Sequence, residues 1–281
     1  MNAATGRRRA LVTGASSGIG EEFARQLARR GYDLVLVARR GDRLDLLATS
    51  LAGVHDVSVE ALPADLTMDA GVAAVERRLA SGDVDLLVNN AGVGSVGEFA
   101  ELSLDREVEQ VDLNVRALLR LTHAALRAMI ARKRGAIINV ASIAGYQPVP
   151  YNATYAATKA FVLNFSEALH EEAKRHDITV TCLCPGPVRT EFQHTAGIKA
   201  ERMRGRPLLR YMAGMNPAGV VEAALTAMDA GRAVVIPGAA NQAIAGTAQA
   251  LPRPLVRRLA GVAFEGQAGR GDGENDSLER P

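Results

Sequence analysis

The chain has no tryptophan, only two cysteines and 4% aromatic residues, and its 33 lysines and arginines against 31 aspartates and glutamates leave a formal charge of +2. Each shortage excludes something. A near-balance of charge gives no bulk field to attract nucleic acid or an anionic membrane. Cys182 and Cys184 sit two apart in an apolar run. That spacing puts both side chains on one face of a strand, where disulfide geometry is poor, so they read as buried free thiols of a reducing compartment. Five histidines, at 55, 123, 170, 176 and 194, have no metal-ligand spacing, and no metal is expected. No hydrophobic signal region leads into the first strand. The uncharged run 233–252 is interrupted by Pro237, Gly238, Asn241, Gln242 and Gln249, which make it a poor membrane span. The absences together predict a cytoplasmic protein with no nucleic-acid partner and no membrane contact.

What is present is alternation. Short apolar runs at 10–13, 33–38, 57–62, 85–89, 135–141, 179–184 and 233–236 read as seven strands. Between them, helical patterns occupy the stretch after Gly20, then 42–51, 67–79, 103–132, 151–175 and 217–230. Strands alternating with helices predict an α/β fold: one Rossmann-like, doubly wound parallel sheet covered on both faces. With 281 residues and 48% hydrophobic content, one core accommodates the pattern. Residues 1–250 are expected to form this domain, and 251–281 a short basic amphipathic helix followed by a polar tail.

The first strand runs into Gly14, Ser16, Ser17, Gly18, Ile19 and Gly20, and then into a helix. Glycines in such a loop permit the tight turn and let the backbone approach a pyrophosphate resting on the helix N-terminus. The second strand ends at Ala38, where an acidic residue would accept the ribose 2′-hydroxyl of NAD. Arg39 and Arg40 follow instead and suit the 2′-phosphate of NADP. Further along, Tyr155 and Lys159 are four residues apart on a predicted helix and so share a face. A phenol alone titrates near pH ~10, and a neighbouring ammonium is expected to pull that value down toward useful general acid/base chemistry. Ser142, at the end of the fifth strand, is placed to meet the same substrate oxygen, and Asn114 is an amide within an apolar helical run.

Thr13-Gly14 with Gly18-Ile19-Gly20, Asn89-Asn90-Ala91-Gly92, Asn114, Ser142, Tyr155 with Lys159, and Pro185-Gly186 together resemble the short-chain dehydrogenase/reductase family over about residues 8 to 238. The resemblance implies an NADP(H)-dependent oxidoreductase acting on a small carbonyl or alcohol. Ser142 would polarise the substrate oxygen, Tyr155 would donate or accept the proton, and Lys159 would lower the tyrosine pKa and hold the nicotinamide ribose. Asn114 would support the lysine through a water. It implies further cofactor contacts from Asp65 and Leu66 at the adenine, from Asn90, Ala91 and Gly92, and from Pro185, Gly186, Val188 and Thr190 at the carboxamide. Two alternatives share features of the pattern, a sugar-nucleotide epimerase or dehydratase and a non-catalytic NADPH sensor.

Residues 191–216 carry no clear periodicity but hold Phe192, Leu208, Leu209, Tyr211 and Met212, together with Lys199, Arg202, Arg204, Arg206 and Arg210. This segment is expected to be a substrate lid over an apolar ketone, aldehyde or acyl group. Family members commonly pair through their long central helices, so a homodimer or homotetramer is expected, with Phe161, Phe165 and Ala168 as a candidate apolar stripe. The helix near Leu255 to Ala263 is expected to pack on protein rather than on lipid.

Overall fold

A computed structural model describes residues 6–192 and 214–264. Most of the expected lid and the tail beyond Phe264 lie outside the described residues. Seven strands, β1 (Arg9–Thr13), β2 (Asp33–Ala38), β3 (Val59–Pro63), β4 (Leu86–Asn89), β5 (Gly135–Val140), β6 (Ile178–Leu183) and β7 (Val234–Val235), pair in the order β3-β2-β1-β4-β5-β6-β7. Every pairing is parallel. Parallel strands need crossovers, and helices supply them: α1 (Gly18–Arg29), α2 (Gly41–Val54), α3 (Asp69–Ala80), α4 (Leu104–Val111), α5 (Leu118–Arg132), α6 (Ala153–Ala173) and α7 (Pro217–Asp229). Two further helices, α8 (Ala239–Ala250) and α9 (Arg253–Phe264), close the described chain.

Alternation along the strands divides the core between the two faces. Val12 and Leu36 pack with Phe23 and Leu27 of α1, Leu44 of α2 and Val220 of α7. Leu11, Val35 and Val37 point the other way, onto Val72 and Val75 of α3 and Leu121 of α5. β2 is buried at all six positions, as a central strand covered on both sides must be. β3, at the edge, is not buried at any of its five positions. The strand order reverses between β1 and β4, whose C-terminal ends therefore open a crevice, where ligands of such sheets bind.

The structure departs from the sequence expectation in three places. The helix expected over 103–132 is interrupted by a π-helical stretch, Asp112–Ala117, which contains Asn114. Such a bulge turns side chains out of α-helical register, and they recur at functional sites. Helix α8 was not anticipated, because a run of alanine, glycine and glutamine without charges carries little amphipathic signal. The stripe expected on α6 is partly buried: Phe161 and Phe165 stack on one another at 5.4 Å and pack against the cluster around Cys182 and Cys184. Both cysteines are free and fully buried, with sulfurs 3.6 Å apart. Among the described residues, no helix is long and apolar enough to cross a membrane.

A polar ladder crosses the buried sheet beneath the crevice. Asn89 of β4 donates through Nδ2 to Asn139 Oδ1 of β5 at 2.9 Å and to Thr122 Oγ1 of α5 at 2.9 Å. Asn139 Nδ2 donates in turn to Ser166 Oγ of α6 at 3.0 Å. The ladder ties β4, β5, α5 and α6 together where apolar contacts alone would let them slide. Asn139→Leu keeps the side-chain size but removes two buried bonds at a cost of about 1–3 kcal/mol, although Asn89 Nδ2 keeps Thr122 and Ser166 Oγ keeps the Val162 carbonyl. Urea unfolding of the variant should show a loss of that size; parental stability would show that the ladder contributes nothing.

Candidate active site

The crevice is a cavity of about 900 Å³ that runs from the glycine loop, past the ends of β4 and β5, to Tyr155. The loop's shape follows from its glycines. Gly14 and Gly18 both have positive φ, at 67° and 59°. A Cβ on Gly20 would stand 2.2 Å from the carbonyl oxygen of Gly14, so only glycine lets α1 begin this close to the preceding turn. The neighbouring loop is clamped against it. Thr13 Oγ1 accepts from the backbone N–H groups of Asn90 and Ala91, each at 3.0 Å, and Asn90 Nδ2 donates to the carbonyl of Thr13 at 2.9 Å.

Ser142, Tyr155 and Lys159 all line the same cavity. Ser142 begins a short 3₁₀ turn, Ile143–Tyr146, where its Oγ accepts from Ala144 N at 3.1 Å. Tyr155 and Lys159 project from the first two turns of α6, and the Lys159 Nζ lies 5.6 Å from the tyrosine ring centre. Lys159 Nζ donates to the Val140 carbonyl at 2.8 Å. Asn114, fully buried, does not line the cavity but lies behind it, close to Lys159 across Gly92. Its Oδ1 accepts from Val93 N at 3.0 Å, and its Nδ2 donates to Val93 O at 2.9 Å and to Thr158 Oγ1 at 3.1 Å. Thr158 Oγ1 donates to the Tyr155 carbonyl at 2.8 Å, so the π-helical asparagine braces the turn that carries the phenol.

Burial sets the electrostatics. It pushes Tyr155 up to about 12, with the Ser142 hydroxyl acting in the other direction, and it pushes Lys159 down to about 8. The depression of Tyr155 by its neighbour, expected from their spacing, is not what prevails in this arrangement. Desolvation of the phenol is the largest effect on Tyr155. Tyr155 is accordingly a neutral phenol near pH 7, the form in which it can give up a proton.

Of the other residues singled out in the sequence, Gly14, Ser16, Ser17, Gly18, Ile19, Arg39, Arg40, Asp65, Leu66, Asn90, Ala91, Gly92, Pro185, Gly186, Val188 and Thr190 line the cavity, whereas Gly20 packs beneath the loop. Asp65 also has a local task, its Oδ1 accepting from Thr67 N at 3.0 Å and Thr67 Oγ1 at 2.7 Å. Gln110, Val149 and Phe264 also line the cavity and belong to no motif of the sequence. Gln110 stands one turn before Asn114 and lines the cavity, its carboxamide unbonded among the described residues. Phe264 reaches the cavity from the far end of the chain, at the last turn of α9.

Residues 8–201 match the family model for short chain dehydrogenase. The chain belongs to the short-chain dehydrogenase/reductase family. A solved short-chain dehydrogenase from Sphingobium yanoikuyae, in complex with NADPH, is 38% identical, with a TM-score of 0.77 over 88% of this chain and 97% of that one. The bulky-bulky ketone specific alcohol dehydrogenase from Comamonas testosteroni is 33% identical, with a TM-score of 0.74 over 89% of this chain and 96% of that one. A very-long-chain 3-oxoacyl-CoA reductase from Bos taurus is 34% identical over 189 residues, 65% of this chain. This chain spans 60% of that reductase's length.

The buried lysine carries a measurable signature. Between pH about 8 and the ordinary lysine value of 10.5, the unfolded chain holds a proton that the folded chain has released, so stability rises with pH across that window. Below about 8 the cost of burying the cation is present in full. Lys159→Met should therefore flatten this rise and raise stability at neutral pH by roughly 1–3 kcal/mol while abolishing activity. Thermal melts from pH 6 to 10.5 test this; a variant with an unchanged pH slope would refute it.

Proposed function

We propose that the protein is an NADP(H)-dependent oxidoreductase that interconverts a carbonyl and an alcohol. The observation that carries this is the convergence of Ser142, Tyr155 and Lys159 on the cavity that also holds the glycine loop. A dinucleotide fits what is there. Glycines at 14 and 20 let the turn pack tightly against Asn90, Ala91 and its own backbone, the N-terminal turn of α1 lines the cavity through Gly18 and Ile19 without a side-chain cap, and Arg39 and Arg40 stand at the end of β2. NADP(H), when bound, supplies or takes the hydride.

The chain's residues handle the rest. Ser142 Oγ and the Tyr155 hydroxyl together grip the substrate oxygen, and Tyr155, as a neutral acid, passes its proton to that oxygen as the carbonyl is reduced. Lys159, anchored by Val140, keeps positive charge beside the ring as the phenolate forms and stabilises it. Asn114 holds Val93 and Thr158 in place around the pair.

Val93, Val96, Ile143, Val149, Phe192 and Phe264 line the cavity and favour a substrate with a bulky apolar body, such as a ketone, an aldehyde or an acyl group. Similarity to a very-long-chain 3-oxoacyl-CoA reductase and to a bulky-bulky ketone specific alcohol dehydrogenase supports the same preference.

Tyr155→Phe removes the proton donor and nothing else from the cavity. NADPH oxidation with a panel of apolar ketones and acyl thioesters should fall by roughly 10²–10⁴-fold. NADPH binding, followed by its fluorescence, should stay near the parental value. Parental turnover by this variant would end the mechanism.

We also propose that the chain pairs with a second copy. Phe99, Leu104, Val108 and Val111 leave large apolar side chains 41–69% exposed along α4 and its approach. Light scattering should give a multiple of 29.7 kDa, and Val108→Glu should shift it toward one chain. A parental mass of a single chain would refute pairing.

A further inference from the structure

The guanidiniums of Arg40, just after β2, and Arg43, in the first turn of α2, are both engaged by one acid, Glu191. Glu191 sits just beyond Thr190 on the rim of the cavity. Its carboxylate receives Arg43 Nη1 at both oxygens, at 2.9 and 3.0 Å, and Arg40 Nη1 at 3.2 Å. Arg40 simultaneously donates through Nη2 to Ser16 Oγ at 3.0 Å and Ser17 Oγ at 3.1 Å, which ties this cluster to the glycine loop. Arg39 instead leans toward Glu109, with 3.7 Å between charged atoms. A carboxylate bridging two arginines, next to two serine hydroxyls, presents the anion, the donors and the place that a 2′-phosphate requires.

We propose that Arg43 is, with Arg40, a phosphate-binding residue for NADP(H), and that Glu191 occupies the phosphate's position as an internal competitor which sets the preference between NADP(H) and NAD(H). This rests on the NADP(H) assignment above. The arginines, Arg43 first, hold the Glu191 carboxyl below the usual carboxylate range, so it is anionic at neutral pH. Side-chain exposures of 41–52% across Arg40, Arg43 and Glu191 keep these pairs in water, where they are weak and exchange readily. A phosphate, with more charge and three acceptor oxygens, displaces such a carboxylate. A cofactor with a 2′-hydroxyl gains no such ion pair and leaves Glu191 in place.

The readout is binding rather than turnover. The probes are 2′,5′-ADP and 5′-AMP, which differ at the 2′-phosphate and lack the nicotinamide, titrated calorimetrically into the full chain at low and at physiological salt. Parental protein should bind 2′,5′-ADP at least tenfold more tightly. Glu191→Gln should tighten 2′,5′-ADP three- to tenfold and leave 5′-AMP unchanged. Arg43→Ala should weaken 2′,5′-ADP about tenfold and spare 5′-AMP. In the double variant the gain from Glu191→Gln should shrink, because the arginine it frees is gone. If the parental protein does not distinguish the probes, the NADP(H) assignment falls and this inference with it. If the parental protein does distinguish them but Glu191→Gln changes neither affinity, or Arg43→Ala weakens both probes equally, only this inference is overturned.

Discussion

The hydroxyl of Thr13, accepting from Asn90 N and Ala91 N while donating to the Val88 carbonyl at 3.3 Å, holds together the two loops that leave β1 and β4. Those loops leave the paired strands between which the sheet reverses its order, and the clamp begins where their ladder, ending at Val12 and Val88, stops. The clamp fixes the gap's width. On one side it seats the glycine turn and the start of α1. On the other it fixes the Asn90 to Gly92 backbone, and a Cβ on Gly92 would lie 3.0 Å from Asn114 Oδ1 and 3.5 Å from Lys159 Nζ. The glycine turn and the Asn90 to Gly92 backbone are thus held by one buried side-chain oxygen and a few small residues.

Dryness is the second constraint. Lys159 is buried and Tyr155 partly so, and the cost of desolvation falls on the charged form of each. The fold tolerates the ammonium because Val140, the last residue of β5, offers it a carbonyl. It tolerates Asn114 by breaking helical register, since the π-helical stretch lets both ends of the amide find Val93 and Thr158. At that local cost the phenol and the ammonium stand together on one cavity wall. On the rim, conditions are the opposite. Arg40, Arg43 and Glu191 stay wet, their attractions are weak, and the cluster is open to exchange.

Much of this was determined by the sequence alone. Periodicity specified the seven strands to within about two residues at their ends, because fully covered parallel strands must be apolar throughout and the glycine turns between them are local. The i, i+4 spacing put Tyr155 beside Lys159, since helix geometry needs no tertiary information. Tertiary structure decided what depends on distance through space. Desolvation at Tyr155, rather than its charged neighbour, governs its proton, and burial is a property of everything packed around it. Glu191 meets Arg43 across 148 positions of sequence, and Phe264 enters the cavity from a helix whose own pattern shows only a short basic amphipath. Such encounters are created when the sheet closes on its helices, and no local pattern in the chain encodes them.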